Sequence, residues 1–281
     1  MSKIEDIISS VEDFPTLPTI YSKLLDLLAD PHTTATHLAE FISNDPSAAT
    51  KILKTVNSPI YGLQGKVDTM SEAISHIGFN DVKNLVMALS VIDLFSKLDS
   101  IEHFSIVDFW KHSIAVGVIS KLLGQKLNLR NLEPYYLAGI LHDIGKIFFL
   151  REFSDEYTLV VNAAIYDQEA LSEVENKRFG INHLNAGALV AEKWQLPDNI
   201  KQTIQNHNDG KVDGEFNEQV ACIHLADKIA NVLELGVPTL FVINRPNPDL
   251  WKFLNVEPGM LESLYPEIMD AYLQSVSISL S

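Results

Sequence analysis

The chain has 281 residues, 46% of them hydrophobic and 21% charged, with a formal net charge of −16. A chain of this length buries roughly 75% of the surface its unfolded form exposes, enough for a core without disulfide staples, and its one cysteine, Cys222, excludes a bridge within the chain. The acidic balance lacks the clustered Lys and Arg of a phosphate-backbone binder, so no nucleic-acid partner is expected.

No apolar run approaches the ~18 residues of a membrane span, and Met1-Ser2-Lys3-Ile4 has neither the basic start nor the apolar run of a signal peptide. A cytoplasmic protein without a membrane partner is expected. The periodicity is helical almost throughout. Leu17, Ile20, Leu24 and Leu27 recur at three- and four-residue steps around Pro18, which suits a first turn. Thr33 or Thr34 caps a second helix with Leu38, Phe41 and Ile42 inward. Asp45-Pro46 opens a third, which carries Ala49, Ile52, Leu53 and Val56 and stops near Asn57-Ser58-Pro59. A turn-rich connection follows over 59–70. Ser71-Glu72 starts a short helix that Gly78 ends, and Asn80 or Asp81 opens another towards Leu98. Further helices are predicted near 105–127, 133–150, 155–167, 183–194, 198–207, 217–235 and 258–276. Val237–Ile243 is the one plausible strand, weakened by Pro238. The stretches 208–216 and 244–249 are the least regular. Phe14, Phe148, Phe149 and Trp251 read as core rather than as a partner surface.

Function has to be read from particular side chains. His142 and Asp143 lie in Leu137-Ala-Gly-Ile-Leu-His-Asp-Ile-Gly-Lys-Ile147, an apolar helix that runs into two adjacent metal-ligand types. Burying a carboxylate there is costly unless it is paired or binds a cation, and imidazole nitrogen with carboxylate oxygen suits a first-row metal. Adjacent helical residues point ~100° apart, so one ion shared by both sits at the rim of the helix, or Asp143 bridges two ions. The alternative is a His-Asp pair bonded to backbone at a helix end. His112, four residues after Asp108, shares a helix face with it. His183 opens a helix containing Ala186-Gly187-Ala188, whose small residues allow close packing. His207 ends the next helix, where a cationic ring would also suit the dipole. Asp227 sits in the apolar segment Ile223-His224-Leu225-Ala226-Asp227, as a ligand or as the partner of a nearby lysine. His32, His37, His76, His103 and His224 read as surface, turn or satisfied core histidines. Several helices thus each offer one or two ligands, as sites inside helical bundles do.

His112, His142-Asp143 and Asp227 resemble the H…HD…D signature of the HD superfamily of metal-dependent phosphohydrolases, and the wider set is similar to that of HD-GYP cyclic-dinucleotide phosphodiesterases. The resemblance implies that His183 and His207 serve a second ion, that Asp143 bridges, that Asp108 is an acidic ligand, and that Lys146 is the catalytic-site lysine after the HD pair. The chain departs from HD-GYP where it has His207-Asn208 rather than paired histidines, and where Asn208-Asp209-Gly210-Lys211-Val212 replaces the GYP motif. The first hundred residues sharpen the likeness. Leu17-Pro18, Asp45-Pro46, Lys51-Ile52-Leu53, Val56-Asn57-Ser58, Tyr61-Gly62, Glu72-Ala73-Ile74 and Ile77-Gly78 resemble the N-terminal half of the HDOD family, HD-related output domains of bacterial signalling proteins. That resemblance covers roughly residues 12–235. It implies an all-α fold, with an N-terminal helical subdomain (1–100) packed against an HD-like bundle (101–235) and followed by a C-terminal extension (236–281).

The expected function is a regulatory output protein with an HD-type site for one or two divalent ions, iron or manganese foremost. Its partners would be signalling proteins or a small phosphorylated ligand. A metal-dependent phosphohydrolase using Asp143 and Lys146 is the first alternative, and a metal-stabilised scaffold without chemistry the second. Rossmann and serine-hydrolase readings find no support, because GxGxxG and GxSxG are absent.

Overall fold

The structure, a computed structural model, describes residues 3–236, 248–257 and 259–280. The chain order is α1 (Lys3–Asp13), α2 (Thr19–Ala29), α3 (Ala35–Ser43), α4 (Pro46–Val56), α5 (Met70–Phe95), α6 (Ile106–Lys126), α7 (Tyr135–Leu141), α8 (Ile144–Glu152), α9 (Ser154–Tyr166), α10 (Leu171–Phe179), α11 (His183–Lys193) and α12 (Asp198–Asn206). A two-stranded antiparallel hairpin follows, β1 (Lys211–Val212) and β2 (Glu215–Phe216), then α13 (Glu218–Val232), α14 (Pro248–Phe253) and α15 (Met260–Ser279). The fold is all-α, and the expected strand at Val237–Ile243 lies outside the described residues.

The helix starts follow their caps. Thr34 accepts from the His37 N–H, Asp45 accepts from the Ser47 and Ala48 N–H groups ahead of Pro46, and Thr69 and Glu72 form a capping box. Gly78, at φ 80°, bends α5 where the sequence predicts one helix to end and another to begin. Helices α2, α3 and α4 pack around α5. The central element of the second half is α6, which is buried on every face from His112 to Gly124. It packs on α7, α13 and α15.

Aromatic packing joins the two halves. The Phe14 ring lies 5.3 Å from Phe95, 5.6 Å from Phe148 and 5.9 Å from Trp194, and the Trp194 indole donates to the Pro15 carbonyl at 2.8 Å. A partly buried ion pair adds to the seam: the buried Lys121 reaches Asp81 at 3.0 Å and lies 3.9 Å over the Tyr61 ring.

Three expectations need correction. The predicted helix 133–150 is broken into α7 and α8, because Asp143 leaves helical geometry (φ −106°, ψ 16°). The segment 208–216 contains the hairpin. Helices α1, α10 and α14 were not anticipated. For α1 the spacing of Ile4, Ile7, Ile8 and Val11 carries the helical signal. In α10 that signal is diluted by charge on every face.

Candidate metal centre

Two backbone crossings set the site. A Cβ on Gly139 of α7 would stand 2.4 Å from the Gly117 Cα of α6. A Cβ on Gly145 of α8 would stand 1.9 Å from the His183 carbonyl oxygen and 2.7 Å from the Gly187 amide of α11. Only glycine permits approaches of this kind. The first brings α6, with His112, onto α7; the second brings His183 onto the turn that carries His142 and Asp143. His207 follows α12, and Asp227 projects from α13.

Leaving the helix at Asp143 solves the problem posed by adjacent ligands. His142 Nε2 and Asp143 Oδ2 come within 3.2 Å. Across the site, His183 Nε2 and His207 Nε2 each lie 3.5 Å from Asp143 Oδ1. Two groups result, His112–His142–Asp143 and Asp143–His183–His207, each with potential ligand atoms within 4.8 Å of one another and with Asp143 in common.

The hydrogen bonds behind the rings define which nitrogen faces inward. His142 Nδ1 lies 2.7 Å from the Gly139 carbonyl and His207 Nδ1 lies 3.0 Å from the Ile204 carbonyl. A carbonyl only accepts, so Nδ1 carries the proton and, in the neutral ring, Nε2 presents a bare lone pair. His183 Nδ1 faces the Glu175 carboxylate at 2.5 Å, with the same consequence.

Burial disfavours the imidazolium of His207 and brings its pKa down to about 4. His142 behaves oppositely: burial works against its charge, but the Asp143 and Asp227 carboxylates outweigh it and raise the pKa. For Asp143, burial opposes ionisation, yet the Lys146 ammonium and the His142 ring hold its carboxyl well below the usual range. Lys146 Nζ is 2.5 Å from Asp143 Oδ2, and both residues are buried. Asp227 is likewise held low, against burial, by Lys228 and His112. It accepts from Lys228 at 3.0 Å and Asn231 at 2.8 Å, and lies 3.1 Å from His112 Nε2.

Two buried atoms at the junction of the groups, His142 Nε2 and Asp143 Oδ1, have no hydrogen-bond partner. Such orphans cost about 1–3 kcal/mol each, and a cation between them would satisfy both. The donor set of each group, two imidazoles and one carboxylate, suits a first-row divalent ion. The residues present therefore fit a metal.

Of the residues singled out in the sequence, the structure brings together His112, His142, Asp143, His183, His207, Asp227 and Lys146. Asp108 stands apart: its carboxylate pairs with Lys111 at 2.9 Å, and it belongs to neither group. Lys146 serves here as the counter-ion of Asp143. His224 is a core histidine, its Nδ1 2.8 Å from the His207 carbonyl. Sequence reasoning missed Glu175 behind His183 because Ser172-Glu-Val-Glu-Asn-Lys-Arg178 reads as a solvated face. The signals available were Lys177-Arg178 in a last turn and Gly180 just beyond Phe179.

An all-α fold with a histidine–aspartate centre inside its second helical bundle defines an HD-type protein. The HDOD domain family matches residues 14–210, and the chain belongs to that family. It is 22% identical over 237 residues to an uncharacterized protein of Treponema pallidum (strain Nichols), covering 83% of this chain and 45% of that protein. It is 31% identical over 136 residues to the uncharacterized protein YuxH of Bacillus subtilis (strain 168), covering 48% and 32%. The chain thus spans less than half the length of these relatives. In fold it is similar to an HDOD domain protein with unknown function from Geobacter sulfurreducens (TM-score 0.69, 22% identity, 99% of this chain and 95% of that one). It is also similar to a proposed metal-dependent phosphohydrolase from Shewanella amazonensis SB2B (TM-score 0.70, 19% identity, 99% and 100%). A third such structure is a proposed signal transduction protein from Marinobacter aquaeolei VT8 (TM-score 0.74, 19% identity, 99% and 66%). No described helix is long and apolar enough to cross a membrane.

Proposed function

We propose that this chain is a signal-output module whose HD-like bundle holds two first-row divalent ions, iron or manganese, and that the loaded centre binds a small phosphorylated ligand. His112 and His142 would hold one ion, His183 and His207 the other, with Asp143 between them and Asp227 at the edge of the first position. The observation that carries this reading is the pair of orphaned buried atoms, His142 Nε2 and Asp143 Oδ1, at the junction of the two groups.

Charge supports an anionic ligand. Without metal, the site and its surroundings hold three carboxylates, those of Asp143, Asp227 and Glu175, and two ammonium groups, those of Lys146 and Lys228, which leaves one negative charge in excess. Two divalent ions turn that excess into three positive charges, which a buried site has to balance with an anion.

The test is metal content. Wild-type protein titrated with Mn2+ should take up two ions per chain and Asp143→Ala none. Uptake of fewer than two by wild type, or undiminished uptake by Asp143→Ala, refutes the assignment.

A metal-dependent phosphohydrolase is the second reading, favoured by Lys146 beside Asp143. A bound ion would lower the pKa of its water towards ~7 and neutralise phosphate oxygens. The HDOD match over residues 14–210, and Asn208-Asp209-Gly210-Lys211-Val212 where HD-GYP enzymes carry their GYP motif, rank the output module first. Phosphodiester hydrolysis by the Mn2+-loaded protein that disappears in His142→Ala would reverse the ranking.

A further inference from the structure

Beside the site stands a buried acid to which the proposed function assigns no ligand role. Glu175 is fully buried, and among the described residues it forms an ion pair with His183 alone. Its Oε2 accepts from the His183 backbone N–H at 2.8 Å and faces the same residue's Nδ1 at 2.5 Å. One oxygen therefore grips both ends of His183, fixing the first residue of α11 and the plane of its ring.

The other oxygen is held too. Tyr157 donates its hydroxyl to Glu175 Oε1 at 3.0 Å. Tyr157 is itself stacked on Phe149 (5.5 Å between centroids, 25° between planes), and Phe149 on Phe179 (4.5 Å, 15°), one turn along α10 from Glu175. The carboxylate sits between α9 and α11, and among the described residues no lysine or arginine forms an ion pair with it. Behind His142 and His207, by contrast, stand neutral carbonyls. A carboxylate behind a histidine raises the basicity of the ligand nitrogen and fixes its tautomer.

We propose that Glu175, itself held by Tyr157, is the positioning residue of the His183–His207 metal position. It keeps the His183 Nε2 lone pair towards Asp143 and makes this position electronically distinct from that of His112 and His142. The inference rests on the two-ion reading above.

The experiment is Mn2+ titration of wild type, Glu175→Gln, Tyr157→Phe, His183→Ala and the double variant Glu175→Gln/His183→Ala, with the circular dichroism of each metal-free protein as a check on folding. Glu175→Gln should weaken one of the two ions by roughly 10- to 100-fold, the usual effect of removing a ligand's hydrogen-bond partner, and leave the other within about threefold. Tyr157→Phe should weaken the same ion by a smaller factor. On the His183→Ala background Glu175→Gln should leave the remaining ion unchanged, which a merely structural role would not do, since that role would disturb both positions. If wild type binds two ions and Glu175→Gln binds both with wild-type affinity, the positioning role falls and the proposed function stands. If wild type binds fewer than two, both fall. Should Glu175→Gln not fold, Tyr157→Phe decides: two ions at wild-type affinity overturn the inference.

Discussion

Gly145→Ala tests whether the α8–α11 crossing builds the site. The added Cβ would stand 1.9 Å from the His183 carbonyl oxygen and 2.7 Å from the Gly187 amide. Both are backbone atoms, so no rotamer change relieves the clash. Ordinary contact begins at 3.4 Å, so the helices have to part by about 1.5 Å, the difference between the two distances. Overpacking of this kind costs roughly 1–3 kcal/mol, and backbone against backbone belongs at the upper end. For a chain of 281 residues, about 3 kcal/mol lowers Tm by roughly 5 °C. Metal binding should suffer more selectively. The clashing atom belongs to His183, and Gly145 is two residues from Asp143, so the displacement falls between two ligands of one position. Ligand distances tolerate about 0.2 Å. Thermal melts of metal-free protein and Mn2+ titrations should show a lower Tm and loss of one ion of two. Gly65→Ala is the control, since its Cβ would meet nothing within 4 Å; its effect should stay within about 0.5 kcal/mol. A Gly145→Ala protein that melts like wild type and binds two ions would refute the reasoning.

Removing the metal should expose what it stabilises. An ion at a thousandfold excess over its dissociation constant contributes ~4 kcal/mol, so EDTA should lower the Tm of Mn2+-loaded wild type and leave that of Asp143→Ala unmoved. In metal-free protein, the His207 pKa near 4 lies below the ordinary 6.5. Its neutral form therefore adds stability that is complete above pH 6.5 and lost as pH falls towards 4, about 3 kcal/mol over that window. The raised pKa of His142 acts in the opposite sense, adding stability that is present below 6.5 and lost as pH rises through its folded value. Urea midpoints in EDTA should accordingly fall less steeply on acidification in His207→Gln than in wild type; an unchanged slope would exclude His207 as the source. At the seam between the halves, Asp81→Ala leaves the buried Lys121 without its partner and should cost roughly 3–5 kcal/mol, much of it restored by adding Lys121→Met. If urea denaturation finds the double variant no more stable than the single one, the cost does not come from the orphaned charge.

The fold was legible where local chemistry and packing agree. Thr34, Asp45-Pro46 and Thr69 cap the helices they precede, and Gly78 bends the chain where its residue type says a helix should stop. Legibility failed where the deciding forces are non-local. The helicity of 133–150 is strong in sequence, yet Asp143 gives up helical dihedrals where it meets His183 and His207, which arrive from other elements. The ligand types could be named from sequence because a carboxylate is rare in apolar company. Their grouping around Asp143 could not, because it depends on crossings at Gly139 and Gly145 that only the packed helices reveal. Asp108 illustrates the reverse. Its spacing to His112 puts both on one helical face, but Lys111, three residues away, captures the carboxylate.

Glu175 shows why a complete site is harder to read than its ligands. A metal-facing histidine stands out by lying in an apolar segment, but the group that aims it needs only one acceptor at the far side of the ring. For His142 and His207 that acceptor is a backbone carbonyl, which every residue possesses. For His183, the first residue of α11, the helix offers none: its opening amides are donors. A side chain from another element has to supply the acceptor, and a carboxylate does so while also taking the orphan N–H of the helix start. At a helix N-terminus His183 therefore depends on an acceptor from outside its own helix, and α10 supplies it as Glu175.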